Sequence, residues 1–256
     1  MRKPMIAGNW KMYKTAGQAV FLVQDLAMLV KDVKDVEILV CPPCIALKSV
    51  STVIEVDKLR IKLGAQNVYW EEEGAFTGEI SPVMLKDLRV DYVIAGHSER
   101  RHIFGETNEM VNKKLRAVLA HGMKSILCVG ETLDEREEEK TADIIKEQIF
   151  EGLAGVSFEE MKDVVMAYEP VWAIGTGLTA TPEQANDVIG DIRGLVGSLY
   201  NEEIAMDIRI LYGGSVKPGN IAELMAEPEI DGALVGGASL NAESFAKIVK
   251  YEKVEE

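Results

Sequence analysis

The sequence predicts an α/β fold in which eight parallel strands close into a single-domain (β/α)8 barrel. Three observations favour this fold. Short apolar runs rich in β-branched residues recur along the 256 residues, stretches with helical periodicity lie between them, and no linker or low-complexity segment interrupts them. Because about 250 residues is the usual size of such a barrel, we interpret residues 1–256 as one domain.

The apolar runs are nearly continuous, as expected for parallel strands that are buried on both faces. The alternation of strands and helices indicates right-handed crossovers between parallel strands. A doubly wound open sheet is the main alternative, but its first strand normally leads into a glycine-rich turn, and Gly8-Asn9-Trp10-Lys11 holds one glycine. The eight runs are Met5–Trp10, Glu37–Cys41, Ile61–Ala65, Asp91–Gly96, Ser125–Gly130, Val164–Glu169, Ile208–Gly213 and Asp231–Gly236.

Helical periodicity is strongest in three of the stretches between the strands. The third of these opens with Thr181-Pro182-Glu183, an order of cap, proline and acid that is typical of a helix start. The acidic run Asp134–Lys140 is interpreted as the solvated start of another helix, because acids there interact favourably with the helix dipole. The three predicted helices are Gln18–Val30, Asn108–His121 and Pro182–Tyr200.

Charge and composition exclude several classes of partner. With 28 Lys and Arg against 42 Asp and Glu, the net charge of -14 disfavours binding to nucleic acid or to an anionic membrane. No apolar run reaches the roughly 18 residues of a membrane span, and Met1–Trp10 lacks the apolar segment of a signal peptide. Three cysteines indicate reduced thiols, so we expect a cytoplasmic protein. Cys41-Pro42-Pro43-Cys44 has redox spacing but lies at a strand end without a thioredoxin-like context.

Reactive side chains follow several of the predicted strands. In a barrel of this kind the active site forms at the carboxyl ends of the strands, where Lys11, His97 and Glu169 would meet. Glu169 is a candidate general base, although a lone glutamate at a strand end more often forms a salt bridge. His97 precedes the start of a short helix, which favours a neutral ring able to donate a hydrogen bond. His102 and His121 lack this placement and are interpreted as surface or capping residues.

Two glycine pairs, Gly213-Gly214 and Gly236-Gly237, predict an anion site after strands seven and eight. Backbone N–H groups in such turns can approach a phosphate closely, although a single pair could equally form a tight turn. Lys11 could supply the positive charge.

The segment Pro170–Gly177 has an apolar middle between Pro and Gly, which indicates a lid with hinges. No metal-binding cluster or nucleotide fingerprint occurs, so no metal or cofactor is expected.

Five stretches together resemble the triose-phosphate isomerase family over the whole chain. The resemblance implies a TIM barrel that interconverts dihydroxyacetone phosphate and D-glyceraldehyde 3-phosphate through an enediolate, without a cofactor, in glycolysis and gluconeogenesis. The stretches are Ala7-Gly8-Asn9-Trp10-Lys11-Met12, Gly96-His97-Ser98-Glu99-Arg100-Arg101, Cys128-Val129-Gly130-Glu131, the run from Ala167 to Gly177, and Leu211-Tyr212-Gly213-Gly214-Ser215-Val216.

The resemblance also implies roles for individual residues. Glu169 would move the proton, His97 would polarise the carbonyl group, and Lys11 would stabilise negative charge with Glu99 as its ion-pair partner. Asn9 would orient the substrate, and the backbone N–H groups of Gly175, Ser215, Gly236 and Gly237 would hold its phosphate. The family is usually homodimeric, with the long loop from Gln66 to Glu79, around Thr77, inserting beside the partner's site. The stretch Glu137–Thr141 departs from the family pattern, with acids where the family often has a small residue or glycine, and it lies away from the chemistry.

Two other functions remain open at this point. A Schiff-base aldolase using Lys11 would be trapped on its substrate by borohydride. A catalytically silent sensor of phosphorylated metabolites would bind a triose phosphate without turnover. The proton-transfer set of Lys11, His97 and Glu169 favours an isomerase, because a sensor has no need of it.

Overall fold

The computed structural model describes residues 2–173 and 180–251, which form a closed barrel of eight parallel strands in chain order. The first strand pairs with the last, Met5 opposite Gly232, so the sheet has no free edge. The strands are β1 Met5–Asn9, β2 Glu37–Cys41, β3 Ile61–Ala65, β4 Tyr92–Ala95, β5 Lys124–Val129, β6 Val164–Tyr168, β7 Ile210–Tyr212 and β8 Gly232–Val235. The predicted barrel is confirmed, and the predicted strand ends differ by at most two residues.

Helices connect the strands and cover the outside of the barrel. Thr15 and Thr181 each form a capping box at the start of a helix, so the predicted cap at Thr181 is confirmed. The helices are α1 Ala16–Val30, α2 Cys44–Val56, α3 Pro82–Asp87, α4 Ser98–His102, α5 Asn108–Ala120, α6 Leu133–Glu137, α7 Thr141–Gly152, α8 Pro182–Leu199, α9 Glu202–Asp207, α10 Ile221–Ala226 and α11 Ala242–Val249. None of the helices in the described part is long and apolar enough to cross a membrane.

The acidic run Asp134–Lys140 begins a helix as predicted, with Asp134 and Glu135 in the first turn, but that helix is shorter than the run. A capping box between Thr132 and Glu135 begins the short helix α6, which ends at Glu137. Glu139 then takes a left-handed backbone conformation with φ 57° before α7 begins. Three successive glutamates at the end of α6 are unfavourable because the carboxyl end of a helix carries partial negative charge.

Side chains alternate between the barrel interior and the helical layer along each strand. In β6, Val165 and Ala167 belong to the interior cluster, whereas Met166 and Tyr168 pack with the helices. The same alternation places Met5 and Ala7 of β1 inside. The next interior position on β6 is occupied by Glu169 and the next on β1 by Asn9, so the strand period carries polar side chains to the top of an apolar interior.

Candidate functional site

A cleft of about 450 Å³ opens at the carboxyl ends of the strands. It brings together residues from the ends of β1, β4, β6, β7 and β8, as expected for the upper rim of a barrel. Gly175 lies outside the described residues. The sequence-predicted site residues that line the cleft are Asn9, Lys11, His97, Glu99, Glu169, Ser215, Gly236 and Gly237.

Lys11 is held in an unusual backbone conformation, with φ 48°. Such a conformation costs a non-glycine residue about 1 kcal/mol or more, so neighbouring contacts must maintain it. The N–H of Lys11 donates to Asn9 Oδ1 at 3.0 Å, and Gln66 Nε2 donates to the Lys11 carbonyl at 2.9 Å. The ammonium group lies 2.8 Å from Glu99 Oε1. These contacts hold the lysine above the centre of the barrel.

His97 caps the amino end of α4 and is buried, with 5% of its surface exposed. Its Nδ1 accepts a hydrogen bond from the N–H of Glu99 at 3.2 Å, whereas the nearest carboxylate oxygen of Glu99 is 3.6 Å away. An Nδ1 that accepts from an amide carries no proton, so this hydrogen bond assigns the ring proton to Nε2. The ring is then neutral, and Nε2 faces Glu169 Oε1 at 3.0 Å.

The carboxylate of Glu169 is almost fully buried, with 2% of the residue exposed. Burial of a charge is costly unless hydrogen bonds replace the lost water. Here Oε2 accepts from the N–H of Ser98 at 2.9 Å, and Oε1 accepts from Ser98 Oγ at 3.1 Å and from His97 Nε2. Ser98 was not singled out in the sequence, because a serine at a helix start usually serves that helix alone.

Two glycines on neighbouring strands make room for Glu169. A Cβ at Gly130, after β5, would lie 1.8 Å from the Glu169 carbonyl oxygen, and one at Gly213, after β7, would lie 2.8 Å from Glu169 Cγ. Both distances are below van der Waals contact. The position of the carboxylate therefore depends on glycine at both sites, a requirement that appears only once the strands are adjacent.

The turns after β7 and β8 form the opposite wall of the cleft. Asn220 fixes the first turn, since its Nδ2 donates to the Ser215 carbonyl at 2.9 Å and its Oδ1 accepts from the N–H of Lys217 at 2.8 Å. Gly236 precedes a 3₁₀ turn, Gly237–Leu240, and no side chain caps that turn. Free N–H groups in such turns are suited to binding an anion.

The comparison with known proteins decides the family. A family model described as triosephosphate isomerase matches residues 4–252. The chain belongs to the triosephosphate isomerase family. It is 59% identical to the triosephosphate isomerase of Caldanaerobacter subterraneus subsp. tengcongensis, covering 98% of this chain and 100% of that protein. It is 56% identical to the triosephosphate isomerase of Carboxydothermus hydrogenoformans, covering 98% of this chain and 99% of that protein. It is 52% identical to the triosephosphate isomerase of Dictyoglomus thermophilum, covering 98% of this chain and 100% of that protein.

In this member of the triosephosphate isomerase family, the described part of the predicted lid, residues 170–173, is anchored to a buried acid. Trp172, in the 3₁₀ turn Val171–Ala173, donates from Nε1 to Glu131 Oε1 at 2.9 Å, and the Tyr168 hydroxyl donates to the same oxygen at 3.1 Å. The guanidinium of Arg136 stacks over the Trp172 ring at 4.4 Å. The rest of the predicted lid, residues 174–177, lies outside the described residues.

Arg101 supports the turn that carries His97. Its guanidinium donates to the Gly96 carbonyl at 2.7 Å and to the Cys128 carbonyl at 3.2 Å, so it joins the ends of β4 and β5. Burial lowers the pKa of Arg101. The motif from Gly96 to Arg101 was recognised in the sequence, but this long-range contact was not.

The cysteines do not form a redox centre. Cys41 and Cys44 are free, and burial raises the pKa of both thiols, whereas a reactive thiol needs a lowered pKa. Cys128 is also free, and its pKa is raised by burial and by the neighbouring Glu169. His102 is exposed on α4 and His121 caps the end of α5, away from the cleft.

Proposed function

We propose that this protein is a triose-phosphate isomerase that interconverts dihydroxyacetone phosphate and D-glyceraldehyde 3-phosphate. The observation that carries the proposal is the buried carboxylate of Glu169 beside Nε2 of His97, in one cleft with Lys11. Membership of the triosephosphate isomerase family supports the same substrate pair. The reaction belongs to glycolysis and gluconeogenesis, in which these two triose phosphates are exchanged.

The reaction is a proton transfer between adjacent carbons. Glu169 removes a proton from the carbon next to the carbonyl, and the C–H electrons form the double bond of an enediolate. His97 donates from Nε2 to the substrate oxygens and returns protons between them. The proton on Glu169 is then delivered to the neighbouring carbon, so the aldose and the ketose differ only in where the hydrogens lie. The ammonium of Lys11 stabilises the negative charge that develops.

Glu169 must leave its present partners before it can act. Ser98 and His97 occupy both carboxylate oxygens with three hydrogen bonds. Substrate that reaches His97 replaces the Nε2 contact and releases the carboxylate toward the carbon. The hydrogen bonds with Ser98 thus hold Glu169 beside the cleft and replace the water that its buried carboxylate has lost.

Substrate orientation is assigned to Asn9 and to the two turns of the opposite wall. Asn9 accepts a hydrogen bond from the N–H of Lys11, and Ser215, Gly236 and Gly237 line the same cleft, which supports a role for their backbone N–H groups in binding the phosphate. Gly175 would add a further N–H when the lid closes. Binding energy gained at the phosphate can be used at the reacting carbons, so the proposal needs neither a metal nor a cofactor. We also infer that residues 1–256 form one domain.

A homodimer completes this proposal. Beside the cleft, Met12 is 94% and Phe104 65% exposed, and both border a second cleft that also contacts His97 and Lys11. Exposed apolar side chains grouped beside a cleft are typical of a protein–protein interface. The exposed loop around Thr77 of a second copy would fill this cleft. Met12→Glu should weaken the dimer, and sedimentation should then report a monomer with reduced activity; a dimer of unchanged affinity would argue against this interface.

We infer a cytoplasmic location. All three cysteines are free, which fits a reducing compartment. The net charge of -14 disfavours nucleic acid and anionic membranes as partners.

The test is a coupled assay with glyceraldehyde 3-phosphate and no added metal or cofactor. We expect kcat/KM to approach the diffusional ceiling of about 10⁸ M⁻¹s⁻¹. Glu169→Gln should lower kcat by about 10²-fold or more with a modest change in KM, because only the base is removed. Binding of a triose phosphate without turnover by the wild-type protein would instead support the sensor, and an unchanged kcat in Glu169→Gln would remove Glu169 as the base.

A further inference from the structure

The cleft contains a lysine that the mechanism does not use. Four charged side chains line it in the described part of the chain: Lys11, Glu99, Glu169 and Lys217. Lys11 is paired with Glu99, and the carboxylate of Glu169 is held by neutral donors. Lys217 is exposed and forms no ion pair with residues 2–173 or 180–251. It is therefore the lining cation that remains available to an incoming anion.

The charge balance of the cleft depends on this lysine. The two lysines and two glutamates cancel, and without Lys217 the lining would carry a formal charge of -1 on a chain of -14. Residues 174–179 contribute no charge, because their sequence, Ile-Gly-Thr-Gly-Leu-Thr, has no ionisable side chain. A phosphate monoester carries about -1.5 to -2 charges at neutral pH, so a negative cleft would repel it.

The position of Lys217 fits a contact with the phosphate end of a substrate. It lies two residues after Ser215, and Asn220 binds the backbone of both residues and so fixes this turn. Gly214, Gly236 and Gly237 line the same cleft. Lys217 therefore borders the same cleft as the turns whose N–H groups are suited to an anion, and the ammonium of Lys11 lies near Gly236, 3.7 Å from where a Cβ on that glycine would stand.

We propose that Lys217 is a steering residue that attracts the phosphate group of the substrate and makes the site selective for phosphorylated over neutral trioses. The proposal rests on the proposed function and deepens it. Lys217 speeds the association of the substrate with the protein and strengthens phosphate binding, and it takes no part in proton transfer. Its effect falls on kcat/KM and must weaken as salt screens the attraction.

The experiment compares the wild-type protein with Lys217→Gln, Lys217→Arg and a control, Lys162→Gln. Lys162 is an exposed lysine in the turn before β6, at the opposite rim, so its replacement makes the same change in net charge. For each protein, kcat and KM for glyceraldehyde 3-phosphate are measured between about 0.02 and 0.5 M ionic strength, across which the screening length falls several-fold. Competitive inhibition by inorganic phosphate and turnover of unphosphorylated glyceraldehyde are measured alongside.

At low salt, Lys217→Gln should lose about four- to tenfold in kcat/KM, the effect of one charge on a dianion across about 6–10 Å of water. The loss should shrink toward twofold at high salt, phosphate should inhibit more weakly by a similar factor, and glyceraldehyde turnover should not change. Lys217→Arg should retain most of the wild-type value and Lys162→Gln nearly all of it. An equal salt dependence in Lys217→Gln and the wild-type protein, or an equal loss in Lys162→Gln, overturns the proposal.

Failure of the proposed function gives a different result. If the wild-type protein has no isomerase activity, ³¹P line broadening of inorganic phosphate still measures anion binding by the same four proteins. Weaker phosphate binding in Lys217→Gln alone then supports the lysine site without the isomerase, and equal binding by all four refutes the site.

Discussion

Replacing Gly130 with alanine should displace Glu169, the proposed base, without changing its side chain. The new Cβ would lie 1.8 Å from the Glu169 carbonyl oxygen, and Cβ contacts below 3.0 Å essentially never occur, so the two groups must separate by at least about 1.2 Å. Gly130 cannot easily retreat, because its N–H and carbonyl are both bonded to the buried Gln148, at 2.8 and 3.0 Å. Most of the displacement therefore falls on Glu169.

A misplacement of about 1 Å at a reacting group can cost about 10²-fold in rate, and overpacking of this kind costs about 1–3 kcal/mol of stability. We expect kcat of Gly130→Ala to fall by about that factor in a protein that still folds, measured by the coupled assay and by urea unfolding. Gly219→Ala is the matched control, because a Cβ there meets no atom within 4 Å. A folded Gly130→Ala protein with kcat within twofold of the wild-type value would refute the argument.

Three further predictions concern stability. Lys114 is buried with its ammonium against Glu106, which also pairs with Arg100. Lys114→Met should therefore lower the free energy of unfolding by about 1–3 kcal/mol in urea titrations, and an unchanged stability would contradict this. Burial raises the pKa of Tyr212 from 10.0 to about 12. The neutral phenol therefore stabilises the fold below pH 10.0, and this contribution is lost as the pH rises toward 12. In Tyr212→Phe the free energy of unfolding should fall less steeply over this pH range, by up to about 1.4 kcal/mol per pH unit. Gly194→Ala, at an open position on α8, should stabilise the fold by about 0.5–1 kcal/mol and so raise the melting temperature. A lower melting temperature would contradict this.

The strands were predictable because their signal is local. β2 and β3 begin and end where the sequence predicts, and the predicted start of β6 is also correct. β4 and β7 are shorter than predicted, because β4 excludes Asp91 and Gly96 and β7 excludes Ile208, Arg209 and Gly213. Helix α1 begins two residues before the predicted start because Thr15 supplies the cap.

The meeting of Lys11, His97 and Glu169 in one cleft was predictable from the sequence, but the contacts that hold them in place were not. Lysine, histidine and glutamate at strand ends are unusual enough to be noticed in the sequence. The contact between Ser98 and Glu169 joins residues 71 positions apart, and that between Gln66 and Lys11 joins residues 55 apart. Such contacts depend on the closed barrel and leave no periodic signal. Lys217 escaped notice because an exposed lysine in a turn is ordinary until its neighbours in space are known.

The alternation along the strands has a consequence for how this protein can vary. Asn9 and Glu169 are the uppermost members of columns that begin with Met5 and Val165 inside the barrel, while the intervening residues hold the helices. Along each of these strands, alternate residues therefore lead toward the cleft or pack against the helices. A library that randomises only the topmost inward positions could search for new reactions while leaving the helical shell intact. The layer just beneath, which includes Ala167 and Cys128, would set how large a new side chain the site can accept.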